Sequence, residues 1–151
     1  MNNINIPNQV VPSFVSVYLL SNQVIGGLYT PIFFNIIETD GTFPVIYNSL
    51  TGQFTAPFSG WYDLDGQIKS AAPLTGLRIV KNGDTNFPIV GMVPIDINVN
   101  MRVRVQLGLG ETVRFEAVGG TILALAGTVP NARASNAIFT MVKRFKDTRF
   151  F

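Results

Sequence analysis

From Asn98 to Leu107 the chain alternates without interruption. Val99, Met101, Val103, Val105 and Leu107 form one set, and Asn98, Asn100, Arg102, Arg104 and Gln106 form the other. Side chains leave a β-strand on opposite sides at every step, so this pattern makes a strand with one dry and one wet face. A helix would mix the two sets around its circumference. Thr112–Ala117 repeats the pattern, with Val113, Phe115 and Ala117 inward and Arg114 and Glu116 outward. Gly108–Glu111 between them reads as a hairpin loop. In Gly60–Lys69, Tyr62, Leu64, Gly66 and Ile68 share one side, while Trp61, Asp63, Asp65, Gln67 and Lys69 share the other. Leu77–Lys81 is a strand that ends in the turn pair Asn82-Gly83. No long window carries a 3.6-residue apolar period, and 14 glycines and 9 prolines punctuate the chain at short intervals. The expected fold is all-β, a two-sheet antiparallel jelly-roll sandwich. One domain is expected over 11–144, with an N-terminal docking arm over 1–10 and a C-terminal tail over 145–151.

Three runs are apolar on both faces: Phe14–Leu20, Pro31–Ile37 and Ala137–Val142. In a sandwich one face of a strand meets the core, so the other face of such a strand calls for cover from another chain. Composition agrees. Apolar residues make up 47% of the chain and charged residues 13%, about half the usual charged share. Surface buried in an assembly accounts for the shortfall; a polar, uncharged surface of Asn, Thr and Gln is the alternative. Phe14, Tyr18, Phe139 and Met141 are the candidate apolar interface residues, with the core of the domain as the other place for each.

The composition also excludes chemistry. With no cysteine and no histidine, the chain can form no disulfide, thiolate zinc site, cysteine nucleophile or imidazole acid–base pair. Asp63 and Asp65 share a strand face but have no base or nucleophile motif beside them, so no enzyme is expected. Glu38 with Asp40, Asp84 and Asp96 could offer oxygens to calcium, but none has ligand-dense spacing, and no metal or cofactor is expected. Gly108-Leu109-Gly110 and Gly119-Gly120 are hairpin glycines, since no helix follows to make a phosphate loop. A formal net charge of +2 is too small to argue for nucleic acid. The opening residues show no secretory signal, and no apolar run reaches the roughly 20 residues of a membrane helix. Assembly in a cytoplasm is expected, with export only as part of a larger particle. Charge concentrates at the C-terminus, where Lys143, Arg144, Lys146 and Arg149 stand against Asp147. With Phe145, Phe150 and Phe151 these residues read either as a solvated tag or as a basic-aromatic anchor for a partner protein.

The stretch Tyr47–Leu64 carries a more specific pattern. Tyr47-Asn48 ends a strand, Thr51-Gly52 turns, Phe54-Thr55-Ala56-Pro57 follows, and Ser59-Gly60 with Tyr62 opens the next strand. The flanks add Asn22-Gln23 ahead of Phe34-Asn35, a strand ending Lys81-Asn82-Gly83, the Leu107–Phe115 hairpin and a last strand over Asn136–Val142. This pattern resembles the trimeric jelly-roll family of the complement subcomponent q globular head and the tumour necrosis factors, over roughly 11–144. The resemblance implies a tight three-fold assembly with the termini near one end, and no shared ligand. It also places Gly60–Lys69 beside Asn98–Leu107 in the sheet facing the three-fold axis. Asp63 and Asp65 would then pair with Arg102 and Arg104 near or across the subunit boundary; a solvated strand face is the alternative. The chain lacks a collagen-like stalk, a signal and a membrane anchor, so viral and bacterial members are the better comparison.

The expectation for function is a non-enzymatic structural or adhesive homotrimer of a virion: a head fibre, spike or capsid decoration. Its tails would dock on other virion proteins. Loops Thr39–Thr42, Ala71–Gly76, Asp84–Phe87 and Thr128–Ser135 would face a host surface glycan or protein. The alternatives are a bacterial spore-coat or cell-surface head, and a carbohydrate-binding lectin using Trp61 and Tyr29 as stacking residues. Membrane insertion is not expected.

Overall fold

The computed structural model describes residues 14–40, 46–124 and 135–145. The expected 1–10 arm and the tail residues Lys146, Arg149, Phe150 and Phe151 lie outside the described residues, as do Gly41 and Thr42 and most of Thr128–Ser135. The strands are β1 Phe14–Tyr18, β2 Gln23–Ile25, β3 Thr30–Pro31, β4 Ile36–Asp40, β5 Tyr47–Asn48, β6 Gln53–Thr55, β7 Gly60–Lys69, β8 Gly76–Lys81, β9 Val90–Met92, β10 Asn98–Leu107, β11 Thr112–Val118, β12 Gly120–Ile122 and β13 Asn136–Arg144. The first sheet runs β10-β7-β13-β1-β4. The second runs β5-β6-β11-β8-β9, with β3 also on β11, and β12 pairs with β2. Every pairing is antiparallel.

The alternation read from β7 and β10 holds in full. Tyr62, Leu64, Gly66 and Ile68 are buried, as are Val99, Met101, Val105 and Leu107, while Val103 is half-buried. An aromatic column joins the two sheets. Tyr62 stacks on Phe139 at 4.9 Å with rings 4° apart, Phe139 meets Phe54 at 5.4 Å, and Phe54 meets Tyr47 at 4.7 Å. The polar ends of the column are satisfied, as buried hydroxyls must be. The Tyr62 hydroxyl donates to the Phe58 carbonyl (2.6 Å) and Tyr47 to the Phe34 carbonyl (2.8 Å). Gly66 lies directly under the Phe115 ring, where a Cβ would come within 2.4 Å; only glycine lets the sheets close there.

One run that is apolar on both faces has a different cause from the one expected. Ile32 and Phe34 are fully buried but belong to no strand. Between β3 in the second sheet and β4 in the first, the chain crosses the sandwich, with Ile32 and Phe34 turned into the core, Phe33 half-buried and Asn35 exposed. The Ile32 amide donates to the Phe115 carbonyl (2.9 Å), and the Asn35 side chain accepts from the Leu20 amide (2.7 Å). Within Pro31–Ile37, Ile32 and Phe34 are therefore core, and Ile36, opposite Tyr18, is the residue left for the outer face.

The expected host-facing loops do not share one end. A strand carries the chain from one end of the sandwich to the other, so the loops before and after it separate. Ala71–Gly76 precedes β8 and Asp84–Phe87 follows the turn that ends it. The Asp84–Phe87 end also holds Gly60, the Gly108–Glu111 loop, Asp40 opposite Val15, and both ends of the described chain, Phe14 and Phe145. The other end holds Lys69, Ser70, Ala71–Gly76 and Ser135. Only Ala71–Gly76 and the Ser135 side are distal to the termini.

Candidate functional site

The outer face of the first sheet is the candidate site, and its layout follows from register. Side chains opposite one another across a sheet share a face. One row reads Arg104, Asp63, Thr140, Phe14; the next reads Arg102, Asp65, Ile138, Ser16; a third reads Asn100, Gln67, Asn136, Tyr18, Ile36. Gln106, Trp61 and Lys143 form the row nearest the terminal end. The face thus has two halves. On β10 and β7 it is charged and polar. On β13, β1 and β4 it carries Ile138, Phe14, Tyr18 and Ile36, with Lys143 as its charge in the row nearest the terminal end.

Asp63, Arg102 and Arg104 come together as the sequence predicts. The Asp63 carboxylate accepts two bonds from Arg104 (Nε 2.8 Å, Nη2 3.0 Å) and one from Arg102 Nη2 (3.3 Å). The Arg104 hydrogen bond, with smaller help from Arg102, holds the Asp63 carboxyl below its ordinary value. Asp65 instead accepts from Asn100 Nδ2 (3.0 Å), because Asp63 takes both guanidinium groups. All these bonds lie within one chain. Arg102 and Arg104 remain 61% and 58% exposed after making them.

β13 requires a correction. Phe139 is fully buried in the aromatic column, and Met141 packs half-buried against the same core. Pairing with β7 sets Phe139 opposite Leu64 and Met141 opposite Tyr62, both inward positions. Neither belongs to the outer face; Ile138 and Thr140 do. Both sets of alternate positions in this strand include large apolar residues, so the strand alone does not show which set is inward. Phe14 and Tyr18 on β1 do lie on the outer face, each half-buried.

Beyond Met141 a register shift brings Lys143, not Val142, opposite Trp61. Trp61, Arg104, Val142 and Lys143 line a shallow recess of about 260 Å³, with Trp61 37% exposed. The described part of the tail is tied down. The Phe145 amide donates to the Ser59 carbonyl (2.9 Å), and the Arg144 guanidinium lies 3.9 Å over the Phe58 ring. The other expected stacking residue, Tyr29, lies with its ring under Arg78, 3.7 Å from the guanidinium carbon.

A second ionic group was not foreseen. Glu116 on β11 is 1% exposed and bridges Arg78 (2.7 Å) and Arg114 (2.7 Å) on the outer face of the second sheet. Alternation places Arg114 and Glu116 outward, but nothing in β11 shows that this face is covered. A third feature is the distal end, where Leu20, Val24, Leu28, Val93, Ile95 and Ile97 are all exposed, Ile95 to 94%. Asp96 is the one charged residue within two positions of any of them in sequence. Asp96 accepts from the Ile97 amide (2.7 Å) and Asp84 from the Asn86 amide (3.1 Å). Among the described residues no three acidic side chains converge.

No protein-family model matches the chain, and no curated protein matches it. Solved structures do. The globular domain of zebrafish complement 1qA protein aligns with 88% of this chain and 99% of its own at 19% identity and a TM-score of 0.62. The Eiger TNF of S. frugiperda aligns with 92% and 98% at 12% identity and a TM-score of 0.64. Murine APRIL aligns with 87% and 99% at 9% identity and a TM-score of 0.61. At these identities the likeness is one of architecture, and it spans nearly the whole of each domain. The chain has the jelly-roll sandwich fold of the complement-q and tumour-necrosis-factor domains.

Proposed function

We propose that this protein is a non-enzymatic structural and adhesive homotrimer. It sits on a virion as a head fibre, spike or capsid decoration, holds on through its terminal end, and meets a host surface with its distal end. The outer face of the first sheet carries the reading, since no other described strand packs over it. It spans five strands and presents Trp61, Ile138, Ile36, Phe14 and Tyr18 beside two arginines on one carboxylate. A face of that make-up needs a partner.

The edge of the sandwich offers a complement. Met92, Val93, Ile95 and Ile97 form an exposed apolar strip between β9 and β10. A strip on one side and an apolar sheet face on another make a heterologous pair, which closes as a ring when the rotation is a third of a turn. The polarity of the protomer supports the rest. Lys143, Arg144 and Phe145 mark the terminal end as the docking side, and the part of the distal end outside that strip, with Leu20, Val24 and Leu28, is left free for adhesion.

Trp61 is the only tryptophan, so its emission reports cover on this face. The trimer predicts blue-shifted, quencher-protected emission that becomes red-shifted and quenchable as the protein is diluted. Emission that is quenchable at every concentration would remove the interface. Immunogold electron microscopy of purified particles tests the location. Label on capsids supports the virion reading, and label on spores or cell surfaces replaces it with the bacterial one.

The Trp61 recess favours a second reading, a lectin. An exposed indole flanked by Arg104 and Lys143 is a platform for a sugar ring with an acidic group. Saturable binding on a glycan array, lost in Trp61→Ala, would establish it. The two readings compete for one residue, since a trimer that covers Trp61 closes the recess.

A further inference from the structure

Asn82 is the only asparagine in the chain that is followed by glycine. Its φ of +55° makes it the one non-glycine residue in the left-handed region among the described residues, and Gly83 follows at +69°. Asparagine before glycine is chemically labile, because a glycine amide nitrogen can reach the side-chain carbonyl unhindered. Space around Gly83 is open, with nothing within 4 Å of where a Cβ would stand.

The side chain is nevertheless held at both atoms. Asn82 Nδ2 donates to Glu111 Oε2 (2.8 Å), and Asn82 Oδ1 accepts from the Thr112 amide (2.8 Å). The Asn82 amide also donates to the Thr112 carbonyl (2.8 Å). Glu111 is itself fixed by the Gly108 amide (2.6 Å) and by Lys81 (3.4 Å). Closing a ring onto Gly83 requires the carboxamide to rotate away from these partners.

We propose that Asn82 is a self-modification site, and that the Glu111 carboxylate and the Thr112 amide hold it in check while the chain is folded. In the reaction the Gly83 nitrogen loses its proton and bonds to Asn82 Cγ. Nδ2 leaves as ammonia, giving a succinimide. Water then opens the ring at either carbonyl to give an aspartyl or isoaspartyl residue. One water is consumed, one ammonia is released, and nothing is oxidised or reduced.

The product cannot restore the turn. An aspartyl carboxylate would put oxygen against Glu111 Oε2 where a donor now sits, and like charges at that distance repel. An isoaspartyl link adds a carbon to the main chain within the turn. Conversion therefore unpins the β8 turn from the β10–β11 hairpin, at the terminal end of the sandwich.

Peptide mapping by mass spectrometry of the full chain, aged at mildly alkaline pH and body temperature, tests this directly. Conversion at Asn82 is expected to be slow in the native protein and faster by about tenfold or more in urea, where local protection is gone. Glu111→Ala should speed native conversion, while Glu111→Gln, which keeps one acceptor oxygen where Glu111 uses two, should fall between that variant and wild type. Circular dichroism checks that the variants are folded. Equal rates in native and urea-unfolded chain, or no conversion in urea, would overturn the proposal. A folded Glu111→Ala variant that ages like wild type would remove Glu111 as the guard. These outcomes do not depend on oligomeric state.

Discussion

The molecule holds one carboxylate between two arginines twice, once on each outer face, and the two copies differ in cover. Glu116 is sealed. Its side chain is 2% exposed, Arg78 and Arg114 are 14% and 19% exposed, and the Tyr29 ring lies against Arg78. Asp63 has the same company in the open, its arginines well over half exposed. Near-identical chemistry therefore sits in two dielectric settings. The sealed trio is complete within the protomer and can be lost only by damaging it. The open trio is a surface ion pair of little worth until something covers it. That difference separates what the fold needs from what the surface is for.

The largest break in the comparison comes from Glu116. Glu116→Ala leaves two guanidinium groups facing each other with little water and should cost the protomer about 3–5 kcal/mol. The urea midpoint would fall accordingly, with oligomerisation lost as a consequence. Asp63→Ala should do the reverse. The protomer loses only about 0–1 kcal/mol, but in the proposed trimer two arginines without their carboxylate would line the subunit boundary, and the assembly should dissociate at concentrations where wild type holds. A double Asp63→Ala/Asp65→Ala variant that stays trimeric in dilute solution would count heavily against the boundary.

Acid tests the same pair more gently. Asp63 is depressed in the folded chain, so its contribution is present above the ordinary carboxylate value of 3.8 and is lost as pH falls through its lower folded value. Light scattering across the acid range should show the assembly weakening only below that ordinary value. The smallest effect is Tyr29→Ala. It removes one cation–π contact of about 0.5–1 kcal/mol and uncovers Arg78, with no change in oligomeric state.

Much of this was legible in the chain, for a physical reason. Strict alternation exists where one face is wet, so β7 and β10 and their Asp63, Arg102 and Arg104 face could be read directly. Where both faces are dry the code fails, in two ways. Ile32 and Phe34 are dry because the chain crosses between sheets, which periodicity cannot distinguish from a doubly covered strand. Phe139 and Ile138 are both apolar, and only the β7 register shows which points inward. Glu116 fails differently: its charge reads as outward, and it is outward, but Tyr29 and two arginines close over it from elsewhere in the sequence. The loops fail for a topological reason, since strand direction, not loop composition, decides which end a loop occupies.

Sedimentation velocity on the purified chain at low micromolar concentration tests most directly whether sister chains cover the outer face of the first sheet. The account predicts one species with the mass of three chains of 16.5 kDa each. A single stable 16.5 kDa protomer, soluble with Trp61, Ile138 and the Arg104–Asp63–Arg102 trio open to water, would contradict it.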